Sequence, residues 1–210
     1  MSFHVVITAL CITALGCAGG SPAAKGGGVR LDRAIEFDGS EGSDLMHLEP
    51  RPTDVVLLDS SRKTLARYRI EDGYLLVRAT GSARDAVVVR AAAGERGLRI
   101  LEGPAGKVLY TLRGEADGDL RLDDAGDQTL YEIKLREYGL KVERGDGQTQ
   151  AKVRVKQDKI SVRNPAGKTV FTTRDPIPPA MAAVLTMNEL PLTFRVGLGL
   201  AILHWGEGIL

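Results

Sequence analysis

Residues 98–113 read LRILEGPAGKVLYTLR, and the pattern returns as LRLDDAGDQTLYEIKL (120–135), LKVERGDGQTQAKVRV (140–155) and ISVRNPAGKTVFTT (160–173). The copies begin at Leu98, Leu120, Leu140 and Ile160, spaced by 22, 20 and 20 residues. Each opens apolar–polar–apolar and passes a polar turn holding Gly106, Gly126, Gly147 or Gly167. It then re-enters an alternating run centred on Tyr110, Tyr131, Ala151 or Phe171. Alternation with period two sends successive side chains to opposite faces of a strand, and a short glycine-bearing turn joins antiparallel neighbours. The unit is a hairpin, written four times.

Working outward, the same signals extend towards the N-terminus. DVVLLDSSRKTLARYRI from Asp54 reads as a further copy, and YLLVRAT and DAVVVRAA follow, separated by turn residues. Twelve strands are expected, near 55–59, 64–70, 74–79, 85–91, 98–101, 107–113, 119–123, 129–135, 139–143, 149–155, 159–163 and 168–173. Every connection is short, so neighbours pair antiparallel as a meander. Closing that meander into a barrel removes both unpaired edges. A barrel of such size has a lumen wider than strand side chains alone fill.

The chain supplies a plug next. Prolines 176, 178 and 179 stop the sheet, because proline cannot donate to a ladder. AMAAVLTMNEL (180–190) has helix composition, and Pro191 stands at the start of a second segment, LTFRVGLGLAILHW, apolar on nearly all sides. A helix apolar all round is buried in protein or in lipid, and an uninterrupted run of about ten residues is short of the roughly twenty a bilayer span needs. The fold class expected is therefore mainly β: a twelve-stranded antiparallel meander closed into a barrel around a hydrophobic C-terminal helix. Gly197 and Gly199 would let that backbone pass close to the barrel walls. A helical hairpin capping an open sheet is the alternative.

The first residues are set aside as a processing segment. Residues 5–15 are apolar and end in Ala14-Leu15-Gly16-Cys17, which resembles the lipobox of bacterial lipoprotein signal peptides. The resemblance implies cleavage before Cys17, a diacylglycerol on its thiol and acylation of the new amino group. Ala18 after the cysteine, rather than Asp, resembles the outer-membrane sorting signal of Gram-negative lipoproteins. An ordinary secretory leader or an uncleaved apolar N-terminus are the alternatives. The only cysteines are Cys11 and Cys17, so the mature chain can form no internal disulfide and no cysteine-based metal site. The division expected is a signal peptide over 1–16, a flexible Gly/Ala/Ser tether over 17–30, an irregular lead-in over 31–53 with one short strand near 34–37, and the barrel domain over 54–210. The helical segment occupies 180–205.

A twelve-stranded meander followed by an apolar C-terminal helix resembles the tubby-like superfamily, which includes the LURP-one-related and phospholipid-scramblase-like proteins. Asp123 to Lys134, DDAGDQTLYEIK, is similar to the hairpins of that family. The resemblance covers residues 54 to about 205 and is architectural, with no catalytic motif. It implies a closed barrel around a hydrophobic helix, with basic barrel residues that bind phosphoinositide headgroups.

Chemistry-bearing constellations are sparse. The three histidines are His4, His47 and His204, and no H-E-x-x-H, G-x-S-x-G or P-loop pattern occurs. The carboxylates Asp117, Asp119, Asp123, Asp124 and Asp127 lack EF-hand spacing and read as solvated turn residues. No cofactor or metal is expected, and a net charge of +1 gives no global field for nucleic acid. The basic residues point elsewhere. Residues 134–168 hold ten Lys or Arg against four acids. Lys152, Arg154 and Lys156 alternate along one strand and share a face, with Val153 and Val155 pointing inward. Lys134 and Arg136 do the same two strands earlier, with Ile133 and Leu135 facing in. These five are the candidate site for anionic lipid headgroups, against the alternative of a solvated face charged for solubility. The function expected is a non-catalytic binding module, lipid-anchored in the bacterial envelope at the outer membrane and facing the periplasm. An assembly lipoprotein presenting a protein-binding face is the second reading.

Overall fold

The computed structural model describes residues 31–82, 86–90, 96–103 and 106–206; the leader, Cys17 and the tether lie outside the described residues. Among these residues fourteen strands follow one another. They are β1 (Ile35–Gly39), β2 (Asp44–Pro50), β3 (Val55–Asp59), β4 (Thr64–Glu71), β5 (Tyr74–Ala79), β6 (Ala86–Arg90) and β7 (Gly97–Leu101). Then come β8 (Val108–Gly114), β9 (Leu120–Asp124), β10 (Thr129–Arg136), β11 (Gly139–Arg144), β12 (Thr149–Lys156), β13 (Lys159–Arg163) and β14 (Thr169–Thr173). Two helices finish the chain, α1 (Pro179–Val184) and α2 (Leu192–Trp205). Each strand pairs antiparallel with the next, and β1 pairs with β14 through Asp38↔Thr172 and Gly39↔Phe171, so the sheet is a closed barrel.

The twelve expected strands are present as β3–β14, each within two residues of its expected limits. The count of twelve is corrected to fourteen, because the lead-in supplies β1 and β2. Ile35, Phe37, Met46 and Leu48 are its inward side chains, all buried. Their alternation is masked in the sequence by a register shift between Phe37 and Asp38, by exposed Leu45 and by Pro50 at the strand end. β1 is the strand that closes the ring, which disposes of the open-sheet alternative.

Alternation fills the inside with apolar side chains from every strand, and α1 and α2 join them in one continuous core. Ala180 to Val184 of α1 and Val196 to Ile202 of α2 are buried throughout. α1 packs on β11, β12 and β13, whereas α2 packs on β4 to β7, so the two helices line opposite walls and fill the lumen between them. A helix with no polar face is stable only when every side is covered, and this enclosure provides that cover. Gly197 meets the wall: a Cβ there would lie 3.0 Å from Val77 Cγ2. Gly199 serves a different approach from the one expected, since its Cβ would meet Met181 of α1 at 2.9 Å. Tyr68 ties α2 to the wall by donating its buried hydroxyl to the Thr193 carbonyl at 3.0 Å. Burial raises its pKa.

An antiparallel meander alternates between two mouths. β1 begins and β14 ends at one, here termed the entry mouth, where the β8–β9, β10–β11 and β12–β13 tips also lie. Arg33 and the Glu36 amide both reach Asp175 there, at 3.5 and 2.8 Å. α1 rises from this end. The connection 185–191 crosses the far mouth, where Gln150 Nε2 donates to Thr186 O at 3.1 Å and Arg144 pairs with Glu189 at 3.3 Å. α2 then runs back.

The outer face is charged, with Arg67, Arg113, Arg121, Glu132, Lys134, Lys141 and Lys152 among its residues. That is the inverse of a transmembrane barrel, which turns an apolar band outward. No helix among the described residues is long and apolar enough to cross a membrane.

The Gly199 contact gives a direct test of the helical plug. Gly199→Leu is expected to lower the unfolding free energy by about 2–3 kcal/mol, the usual cost of overpacking, read as a drop in urea midpoint. Gly199→Ala should cost far less, because a gain of about 1 kcal/mol in helix propensity offsets the smaller clash.

Candidate functional site

The predicted basic residues lie on the outer face of β10–β13, and the register shows which of them meet. Lys134 on β10 is opposite Lys141 on β11, Lys141 is opposite Lys152 on β12, and Lys152 is opposite Arg163 on β13. Four cations thus form one row across four strands, at about 4.8 Å per step. One pleat nearer the entry mouth, Arg136, Gly139, Arg154 and Ser161 form the next row. Lys156 and Lys159 face each other at the tip. Like charges directly opposite are destabilising, so each cation needs an answering carboxylate, solvent or a ligand.

Half of the row is answered from within. Lys134 Nζ lies 2.7 Å from Glu132 and 2.6 Å from Glu143, and Lys141 also pairs with Glu143. The two carboxylates raise the pKa of Lys134, and the two ammonium groups hold Glu143 down at about 2. Lys134 also lines a cleft of about 400 Å³ with Arg121 and Arg136 and the acids Glu115, Asp117, Asp119 and Glu132. Four carboxylates against three cations make that cleft unfit for an anion.

The other half is open. Among the described residues Lys152, Arg154 and Lys156 have no carboxylate within 4.0 Å. Arg154 lies over the Tyr138 ring, 5.8 Å from its centroid, which orients the guanidinium without neutralising it. Arg163 has its Nε buried without a hydrogen-bond partner. Arg136 is exposed and donates only to the neighbouring Leu135 carbonyl, at 2.5 Å.

The structure therefore brings together Lys152, Arg154 and Lys156 as expected, places Arg136 at the rim beside them, and engages Lys134 elsewhere. Arg163 and Lys159, counted in the basic stretch but not singled out, lie opposite Lys152 and Lys156, and Lys141 lies between Lys134 and Lys152. The signal was available for Arg163: the two-residue turn Gln157-Asp158 fixes Lys156 opposite Lys159, and counting back puts Lys152 opposite Arg163. Val153 is buried as expected, but Val155 and Leu135 are 44% and 58% exposed, each being the penultimate residue of its strand beside a hairpin tip.

Other candidates resolve into structure. Asp124 accepts the Gly126 and Gln128 amides and Asp117 accepts the Asp119 amide, so these carboxylates hold turns. Asp123 is buried between Arg113 and Arg121, at 3.3 and 3.2 Å. Among the described residues no group of three potential ligands could hold a metal ion. At the far mouth the Tyr131 hydroxyl accepts the Glu189 amide at 3.2 Å, and Arg195 donates to Leu185 O and Asn188 Oδ1 at 2.7 and 3.1 Å. Those contacts pin the interhelix connection. Burial lowers the Arg195 pKa and raises that of Tyr131. Comparison with protein-family models, curated proteins and solved structures gives no match in any of the three.

The Glu143 pairing carries a pH signature. Its carboxyl sits lower in the folded chain, about 2, than the ordinary 4.5, so its contribution is present above pH 4.5 and is lost as pH falls towards 2. Urea midpoints measured from pH 7 to pH 2 should show Glu143→Gln less stable at neutral pH. The difference from the parent chain should close between pH 4.5 and 2.

Proposed function

We propose that the chain is a membrane-anchored envelope lipoprotein whose barrel is a non-catalytic binding module for anionic lipid headgroups. The observation that carries this reading is the set of outward cations, Lys152, Arg154 and Lys156, that no carboxylate among the described residues answers. Phosphate or carboxylate groups of a headgroup supply the missing counter-charge. Arginine takes phosphate oxygens through its planar fork and lysine as a point charge. Arg136 and Arg163 flank the three and extend the same patch. The lipobox-like residues ending at Cys17 support anchoring, two or more acyl chains being enough for stable attachment where one is marginal. An envelope location at the outer membrane goes with that leader, as does the tubby-like resemblance with its headgroup-binding barrels. No catalytic step is assigned to any residue.

Co-sedimentation with liposomes tests the reading. Residues 31–210 contain the whole closed barrel and its plug and omit Cys17, so any binding belongs to the barrel. Binding should be selective for anionic over neutral vesicles and should weaken as salt screens the charges. Each cation near such a surface is worth about 1 kcal/mol, so Lys152→Glu/Arg154→Glu/Lys156→Glu should weaken binding by at least about 100-fold. Absence of binding, or equal binding by both proteins, removes the headgroup reading. A protein-binding face is then the reading that stands.

A further inference from the structure

Leu135 and Val155 are two of the four large apolar side chains exposed by more than two-fifths among the described residues. By parity both belong to the inward set, after Tyr131 and Ile133 on β10 and after Ala151 and Val153 on β12, yet they emerge at the entry mouth. β11 alone separates their strands, about 10 Å across two inter-strand steps. Val155 pairs through its amide with the Tyr138 carbonyl at 3.3 Å, which places it against the β10–β11 tip. The rim around them carries Arg136, Arg154, Lys156, Lys159 and Arg174 against Glu137, Asp158 and Asp119, which accepts the Leu135 amide at 2.7 Å, an excess of two positive charges (5 − 3). An apolar pair beside an excess of cations is a surface an anionic bilayer takes in: side chains pass between the headgroups while the cations hold the phosphates.

We propose that the entry mouth over β10–β13 is a membrane-contact edge, with Leu135 and Val155 inserting into the bilayer interface and Arg154, Lys156 and Lys159 engaging headgroup phosphates. The inference rests on the headgroup reading and adds to it an insertion step and an orientation. Chain geometry agrees with that orientation. The chain enters the barrel at this mouth, fixed by the Arg33–Asp175 pair, and Cys17 lies fourteen residues before Leu31 (31 − 17). Fourteen residues span at most about 50 Å, so an anchor there leaves this mouth free to touch the same membrane. The other two exposed apolar residues, Leu45 and Val170, sit towards the far mouth, where the β1–β2 tip carries Glu41 and Asp44. Charge complementarity selects the first pair. The acids of the β8–β9 tip, Glu115, Asp117 and Asp119, tilt the contact towards β12 by repulsion.

Residues 31–210 contain no cysteine, so single labelling sites can be installed at will. An environment-sensitive fluorophore on Leu135→Cys and on Val155→Cys is expected to shift to shorter wavelength on vesicles of mixed neutral and anionic phospholipid. Lipids with a nitroxide near the headgroup should quench it, and the same dye on Asp146→Cys at the far mouth should do neither. Leu135→Ser/Val155→Ser should weaken vesicle binding by about tenfold or more, as expected for withholding two apolar side chains from the interface. Both positions are exposed, so thermal unfolding should match the parent chain. Dyes at 135 and 155 that stay unquenched while the parent chain binds anionic vesicles overturn the insertion and leave the headgroup reading intact. A parent chain that binds no anionic vesicle overturns both.

Discussion

A ring of fourteen strands encloses more space than its own side chains can fill, and the rest of the structure follows from how that space is occupied. The occupant is a pair of helices with no polar side. Such a segment is unstable in water and too short to be at home in a bilayer, so its only favourable surroundings are the barrel's own lining. The dependence is mutual, because an empty lumen would forfeit the dispersion contacts and apolar burial of every inward side chain. The polar contacts at the far mouth complete the device. Tyr131, Arg195, Gln150 and Glu189 satisfy backbone and side-chain groups of the connection where it leaves the apolar interior.

With the inside committed to packing, chemistry is left to the outer face and the two rims. Period-two alternation enforces that division, since the residue beside each buried side chain points to solvent. The lumen is filled by α1 and α2; two clefts lie between hairpins and are lined by charges of both signs, and a third, lined by Val77, Ala79, Ala86, Leu109 and Phe194, opens where α2 meets the wall.

Much of this was legible in the sequence because hairpin signals are local. The repeated polar turns and alternating runs located β3–β14, and the proline cluster with the apolar tail located the plug. The short strand expected near 34–37 is β1, but its place in the barrel and the whole of β2 escaped, because the alternation is interrupted by a bulge, by Leu45 and by Pro50 and reads as irregular until a closing partner is required. At the candidate site, the shared face of Lys152, Arg154 and Lys156 was readable from spacing alone. The engagement of Lys134 was not, because Glu143 reaches it from the neighbouring strand and the adjacent row, a diagonal contact that spacing within one strand cannot show. The inward parity of Leu135 and Val155 was right and their burial was not. Parity follows from the backbone, whereas burial depends on how near the residue stands to a hairpin tip.

The case for function rests on a contrast within one barrel. On β8 and β9 the outer face mixes signs: Arg113, Arg121, Asp123, Asp127 and Glu115 answer one another in a network, the arrangement expected of a surface kept soluble. On β10–β11 the pairing persists through Glu132 and Glu143. Along β12 it stops, and Lys152 faces Arg163 with Lys156 facing Lys159, while the turn acid Asp158 pairs with Arg174 instead. Solubility alone does not call for same-sign pairs directly opposite each other, since these cost stability and alternating signs would solvate the sheet equally well. The unanswered charges are grouped rather than scattered. They adjoin the two apolar side chains that the barrel leaves uncovered at the mouth where the chain begins. Unanswered cations and two uncovered apolar side chains meet at this edge, whereas Leu45 and Val170 at the far mouth lie beside acids, and the proposed anionic lipid surface would satisfy both features of the first edge.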